Sequence, residues 1–167
     1  MINFFSNIKE KKNEFFKREN IFLLFFVVLI FFFDRVSKIK IINSYSENVY
    51  YINSFINFDL IWNIGIGFGL FSTDTSLYYN LVTTIIGVVI LILLYISAIS
   101  KKFDKFIYSF IIGGALGNFY DRLTFNAVPD FIDIHYKDFH WFTFNVADIF
   151  ISFGIMLYMC KNLFSKN

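Results

Sequence analysis

Apolar residues gather along this chain in four long runs, and between the first two the spacing of apolar positions shortens to a period near two. The first run opens at Ile21, where Ile21 to Phe33 form 13 uninterrupted apolar residues, about 20 Å of helix at 1.5 Å per residue. Spanning a bilayer takes about 20 residues. The helix is therefore predicted to continue through Asp34, Arg35 and Lys38 to about residue 42, which places its charges near one end. A second helix is predicted at about 77–99, with Asn80, Thr83, Thr84 and Ser97 among its few polar side chains. A third, at about 106–123, carries Gly113, Gly114 and Gly117 and ends on Asn118, Asp121 and Arg122. Gly113 and Gly117 stand four apart, the spacing that lets helices approach closely in lipid. The fourth, at about 144–164, begins with Asn145 and Asp148 and is almost wholly apolar as far as Lys161. From Val49 to Phe71, Phe58, Leu60 and Trp62 alternate with Asp59, Ile61 and Asn63, and glycines follow at 65, 67 and 69. That pattern predicts short strands, a β element at about 45–72 resting on the membrane surface.

The basic residues orient these helices. Lys9, Lys11, Lys12, Lys17 and Arg18 precede the first, Lys101, Lys102 and Lys105 fall in the loop between the second and third, and Lys161 and Lys166 close the chain. Residues 43–76 contain no Lys or Arg, and the loop from Thr124 to Phe142 contains only Lys137. The positive-inside rule then makes both termini and the middle loop cytoplasmic. The expected architecture is an all-α integral membrane protein of the inner membrane: four transmembrane helices, a small extracytoplasmic β element, a basic cytoplasmic arm over 1–20 and a short cytoplasmic tail over 165–167. The arm lacks the small-residue cleavage site of a signal peptide, so the first helix is expected to stay, with the arm near anionic lipid headgroups.

Composition agrees: 57% of residues are hydrophobic and 17% charged, against about half and a quarter in soluble domains. The single cysteine, Cys160, permits no internal disulfide and is expected to be a small buried apolar residue. His135 and His140 lack zinc-like spacing and read as loop residues. No metal, cofactor or nucleic-acid partner is expected, and no oligomer is implied.

With this topology the conspicuous polar groups meet in one layer at the outer face: Asp34 and Lys38, Asn63 and Gly65, Asn118, Asp121 and Arg122, Asp130 and Asp133, Asn145 and Asp148. Ionisable groups at membrane depth mark function, although several have a structural reading. Asp34 and Lys38, four apart on a helix, suit an ion pair, and Asp121 with Arg122 suits loop anchoring. Asp130 and Asp148 differ, because neither has an adjacent basic residue and both lie beside apolar positions. Two carboxyl groups in a low-dielectric site share one proton. The ionised member can take a proton from water while the other polarises a carbonyl, which is acid–base hydrolysis of a peptide bond. Cys160 is misplaced for a nucleophile, and Ser37 with Lys38, adjacent on a helix, point about 100° apart. The competing reading is a small transporter or channel subunit with Asp34, Asp121 and Asp148 as a proton relay.

In order along the chain, Asp34-Arg35-Val36-Ser37-Lys38, Asn63-Ile64-Gly65-Ile66-Gly67-Phe68, Gly113 to Arg122 (GGALGNFYDR), Val128-Pro129-Asp130-Phe131 and Phe144-Asn145-Val146-Ala147-Asp148 resemble the motifs of lipoprotein signal peptidase (signal peptidase II), the bacterial aspartic peptidase of the membrane. The resemblance covers nearly the whole chain. It implies Asp130 and Asp148 as the catalytic pair. It implies Asp34, Lys38, Asn63, Gly65, Asn118, Asp121, Arg122 and Asn145 as residues that support the site or the substrate, and a β-cradle beside four transmembrane helices. The implied partner is a prolipoprotein cut before its diacylglyceryl-modified cysteine, delivered through membrane lipid. Arg35, Trp62 and Gly67 depart from the pattern, at positions that bear on substrate fit.

Overall fold

The computed structural model describes residues 18–45, 48–65 and 76–164. The arm before Arg18, the tail after Phe164 and the part of the expected β element beyond Gly65, Gly67 included, lie outside the described residues. Among the described residues the elements run α1 (Arg18–Ser44), β1 (Tyr50–Asn53), β2 (Ile56–Asn63), α2 (Ser76–Ile99), α3 (Lys102–Phe125), β3 (Val128–Tyr136), β4 (Phe139–Phe144) and α4 (Val146–Phe164).

Three of these helices, α1, α2 and α4, are long and apolar enough to cross a membrane. Their surfaces are inverted relative to a soluble bundle. Outward-facing Phe25, Leu91 and Met159 are exposed, while Asp34, Lys38, Asp121 and Asn145 are completely buried. Exposed apolar area on this scale needs lipid to cover it, and backbone groups in lipid must be satisfied within each helix. Cys160 is also exposed, contrary to the expectation of burial. An apolar neighbourhood in sequence does not separate a protein core from an outward helix face.

Helix α3 is the hub, packed against α1, α2 and α4. Its glycines let it approach α1 and α4 closely. A Cβ at Gly113 would fall 2.8 Å from Ile30 of α1, one at Gly114 would fall 2.5 Å from the Ala147 carbonyl of α4, and one at Gly117 would strike the Asp34 carboxylate. Asn126 ends α3 with φ 53° and ψ 24°, a left-handed conformation that Asn tolerates and that stops the helix. The loop expected between the second and third helices is shorter than predicted, because Lys102 and Lys105 already belong to α3. Lys105 is buried and donates to the Asn20 side chain and the Ala98 carbonyl.

The small antiparallel sheet expected beside the helices is present, and it extends beyond the element read at 45–72 to take in the segment before α4. Four antiparallel strands lie in the order β1-β2-β3-β4. The stretch before α4 that was expected to be a loop is the β3–β4 hairpin, turning at Lys137 with φ 54°. The β1–β2 hairpin turns after Asn53, whose side-chain oxygen accepts the N–H groups of Phe55 and Ile56. Two helices separate β2 from β3 in the chain. Their pairing sets Ile61 opposite Asp130, Trp62 opposite Pro129 and Asn63 opposite Val128. Pro129 is tolerated as the second residue of β3, beside the place where the ladder begins.

Candidate active site

Helix α4 begins with a reciprocal cap. The Asn145 side-chain oxygen accepts the N–H of Asp148 at 3.1 Å, and the Asp148 carboxylate accepts the N–H of Asn145 at 3.0 Å. Two donors that helix geometry leaves unpaired are satisfied in this way. The cap fixes Asp148 at the positive end of α4, where a carboxylate is favoured. The other Asp148 oxygen accepts from the Asn118 amide of α3 at 2.8 Å. The Asn145 amide nitrogen points the opposite way and donates to Asp130 on β3 at 2.6 Å. Asn63, brought over by the β2–β3 pairing, donates to the second Asp130 oxygen at 2.9 Å. Asn63 is itself held by the Gly65 N–H on its side-chain oxygen. Burial pushes the Asp130 carboxyl up to about 6. The hydrogen bond from Asn63 opposes that rise, and the negative charge of Asp148 adds to it. Each carboxylate oxygen accepts one such bond and keeps a lone pair for water or substrate.

Behind these two carboxylates lies a buried charge cluster. The Lys38 ammonium donates to Asp34 at 2.9 Å, to Asn118 at 2.8 Å and to Asp121 at 2.7 Å, using all three of its protons. The second Asp34 oxygen accepts the Ala147 N–H at 3.0 Å, joining α1 to the first turn of α4. Arg35 reaches Asp121 at 2.6 Å and lies over the Tyr120 ring at 4.9 Å. Arg122 anchors the segment after β2 through backbone carbonyls, while the ion pairs of Asp121 go to helix α1. Arg122 donates to the carbonyls of Asn118 and Gly65, which ties α3 to the end of β2.

Asn63, Asn118, Arg122, Asp130, Asn145 and Asp148 all line one cavity of about 630 Å³. Its remaining wall is largely apolar and includes Ile134, Phe142 and Phe144 of the sheet with Ile149, Phe153 and Met156 of α4. Asp34, Lys38 and Asp121 stand one layer back, joined to the cavity through Asn118 and the backbone of Ala147. All ten residues named for the site from the sequence therefore meet in one connected hydrogen-bonded group, whereas Asp133, expected in the same layer, bonds to His140 outside it. Arg35, read from the sequence only as a departure that bears on substrate fit, joins the group through Asp121, and Tyr120 lies under its guanidinium without a sequence signal. Sequence reasoning passed over a separate cluster on the sheet, where ligand atoms of Asp133, His135 and His140 lie within 4.8 Å of one another. The signal for that cluster was the i,i+2 spacing of Asp133 and His135, readable only once the segment is known to be a strand.

The fold and this site define a bacterial-type membrane enzyme. Two solved structures, each of a bacterial membrane enzyme, share the fold: one with a TM-score of 0.73 and 27% identity over 87% of this chain and 89% of the other, the second with a TM-score of 0.69 and 26% identity over 84% and 92%. The family model for signal peptidase (SPase) II matches residues 26–164, and the chain belongs to that family. Lipoprotein signal peptidase of Pelagibacter ubique is 44% identical over 147 residues, covering 86% of this chain and 89% of that protein. The one from Anaplasma marginale is 38% identical over 137 residues, covering 80% and 79%.

Proposed function

We propose that this protein removes signal peptides from prolipoproteins, cutting before the diacylglyceryl-modified cysteine, with Asp130 and Asp148 as an aspartic catalytic pair. The observation that carries the reading is the bridge made by Asn145, which donates to the Asp130 carboxylate through its side-chain amide and to the Asp148 carboxylate through its backbone N–H, at the edge of a cavity walled largely by apolar side chains. Two adjacent carboxyl groups hold one proton between them. The ionised member takes a proton from the attacking water, and the protonated member donates to the scissile carbonyl and then toward the leaving nitrogen. Asn63, Asn118 and Asn145 orient the pair with neutral amides, so no cation locks either carboxyl in its charged form. Lys38 neutralises Asp34 and Asp121 one layer back, and that layer keeps Asn118 and the α4 N-terminus in place.

In this reading α3 crosses the membrane together with α1, α2 and α4, both termini are cytoplasmic, and the sheet and catalytic pair lie at the extracytoplasmic face. The basic residues around Lys101 and Lys161, at the helix ends far from the sheet, support that orientation. The lipid chains of the substrate lie along the apolar wall of α4 while the peptide meets the polar rim. A proton relay is less well supported, because the acidic groups close on one another at a single level between α1, α3 and α4 and form no path along the helices.

The test is Asp130→Asn and Asp148→Asn, each purified and assayed on a lipid-modified precursor. Each is expected to lose about 10³-fold or more in cleavage rate. Near-normal processing by both variants would remove the pair from the mechanism.

A further inference from the structure

The sheet has two faces with different chemistry. Asp130 and Ile134 of β3 face the cavity, so the alternate positions Asp133 and His135 face away from it. His140 of β4 sits directly across from His135. The three side chains converge. His140 Nδ1 lies 2.7 Å from Asp133 Oδ2, and His135 Nδ1 lies 3.6 Å from the same oxygen. The two imidazoles stack with centroids 5.3 Å apart. Two buried polar atoms here have no hydrogen-bond partner: Nδ1 of His135, a residue only 6% exposed, and Oδ1 of Asn57. The β2–β3 register sets Asn57 opposite Asp133, on the same face of the sheet. Leaving a buried acceptor or donor unpaired is costly, and two such atoms beside a carboxylate and a second imidazole ask for a shared partner.

We propose that Asp133, His135 and His140 bind a divalent transition metal of the zinc type, with Asn57 or water supplying a further oxygen. Two imidazoles and a carboxylate suit Zn²⁺ and its neighbours in the first transition row and do not suit Mg²⁺. Bonds of 2.0–2.2 Å in a tetrahedron set ligand atoms about 3.3 Å apart. The 3.6 Å separation of His135 from Asp133 already matches this. The 2.7 Å contact of His140 opens by about 0.6 Å as its hydrogen bond gives way to the metal. The His140 side chain is 55% exposed, so an ion can reach the site from solvent. Bound there, it clips β3 to β4 about 10–17 Å along the strand from Asp130. The site is independent of the cleavage chemistry, and its test does not rest on the aspartic pair.

The experiment uses the full chain in detergent, without a polyhistidine tag and stripped with chelator. Zn²⁺ is titrated calorimetrically, retained metal is counted after desalting, and Co²⁺ is added separately for its visible spectrum. One Zn²⁺ per chain is expected, with a thermal midpoint several degrees higher in saturating Zn²⁺ and unchanged by Mg²⁺. Co²⁺ is expected to give the intense bands of a four-coordinate site. His140→Ala, at an exposed position, is expected to weaken Zn²⁺ binding about tenfold or more and still cleave precursor. Wild-type protein that retains no Zn²⁺ and gives only the pale spectrum of hydrated Co²⁺ would overturn the proposal, and so would undiminished binding by His140→Ala in a protein that still cleaves precursor.

Discussion

Asn145 spends the two ends of one amide on two segments of chain, its oxygen on the first turn of α4 and its nitrogen on β3. Asn145→Ala therefore removes a helix cap and an Asp130 hydrogen bond together. The cap alone is worth about 1 kcal/mol. The larger effect is expected in catalysis, a loss of about 10²-fold in kcat with little change in the affinity for precursor, because Asp130 loses a hydrogen bond and the turn that carries Asp148 loses its side-chain cap. Measuring kcat and KM separately on a lipid-modified precursor checks this. Asp130 also gives the molecule a pH signature. Its carboxyl rises from an ordinary 3.8 to about 6 on folding, so the folded state holds this proton more tightly than the unfolded one. The associated stability is fully present below pH 3.8 and is lost as pH rises through 6, up to roughly 3 kcal/mol in all. Thermal unfolding in detergent is expected to show that decline between about pH 4 and 7 in the wild type and a flatter profile in Asp130→Asn. In activity, kcat/KM is expected to fall on the alkaline side with an apparent pKa near 6 that belongs to the pair as a unit. A pH–rate profile with no alkaline limb would contradict the shared proton. At this scale the polar motifs were well marked in the sequence, since uncommon polar residues stand out among so many Phe, Ile and Leu. The partner choices were less visible. The sequence suggests loop anchoring for Asp121 and Arg122, yet adjacent residues on a helix diverge, and Asp121 turns to Lys38 and Arg35 of α1.

Between elements, the glycines of α3 decide how close the helices come. Gly117 lies against the Asp34 carboxylate, where an added methyl would displace the group that accepts from both Lys38 and the Ala147 N–H. Gly117→Ala is expected to destabilise the fold by about 1–3 kcal/mol and to reduce cleavage, since the α4 N-terminus carrying Asp148 shifts with Asp34. Gly87→Ala on α2 is the contrasting case. Its Cβ would meet only ring-edge atoms of Phe119 at 3.1–3.2 Å, a contact that a small ring movement relieves, and its effect is expected to stay near the error of measurement. Unfolding midpoints and processing rates of the two variants, compared side by side, test whether α3 packing transmits to the site. The helices were legible because long apolar runs admit little else at membrane depth. The β3–β4 hairpin was not. Asp130, Asp133 and His135 interrupt its apolar positions, Pro129 stands near its start, and burial of both faces near Val128 erases the alternation that marks a half-exposed strand. The β2–β3 register was unreadable for a different reason: two helices separate the strands, and nothing local specifies which residues face one another across the ladder.

The whole molecule combines a polar site, closed toward the helices by the Lys38 cluster, with a cavity wall that is apolar and continuous with the exposed surface of α4. Ile149, Phe153 and Met156 line that wall, and each is also exposed on the outer side of the helix. Phe153 also packs edge-to-face on Phe110 of α3, but much of each side chain stays uncovered by protein, so their apolar character has to be explained by what lies against them. In a membrane that is lipid, and in the function proposed above it is, during cleavage, the acyl chains of the substrate. The two roles separate by substitution. Phe153→Ser removes apolar contact without breaking any hydrogen bond of the site, and no part of the Asn145 bridge or the Lys38 cluster touches it. The unfolding midpoint is expected to fall only slightly, through the lost edge-to-face contact with Phe110, and the rate at saturating precursor to stay near wild type. The KM for a diacylated precursor is expected to rise by about tenfold, the scale of a few buried methylenes at roughly 0.8 kcal/mol each. A precursor with shortened acyl chains provides the control, because it has less apolar length to lose and its KM is expected to change less. If Phe153→Ser raised KM equally for long and short chains, or lowered kcat alone, the wall would be a support for the catalytic pair and the lipid would lie elsewhere.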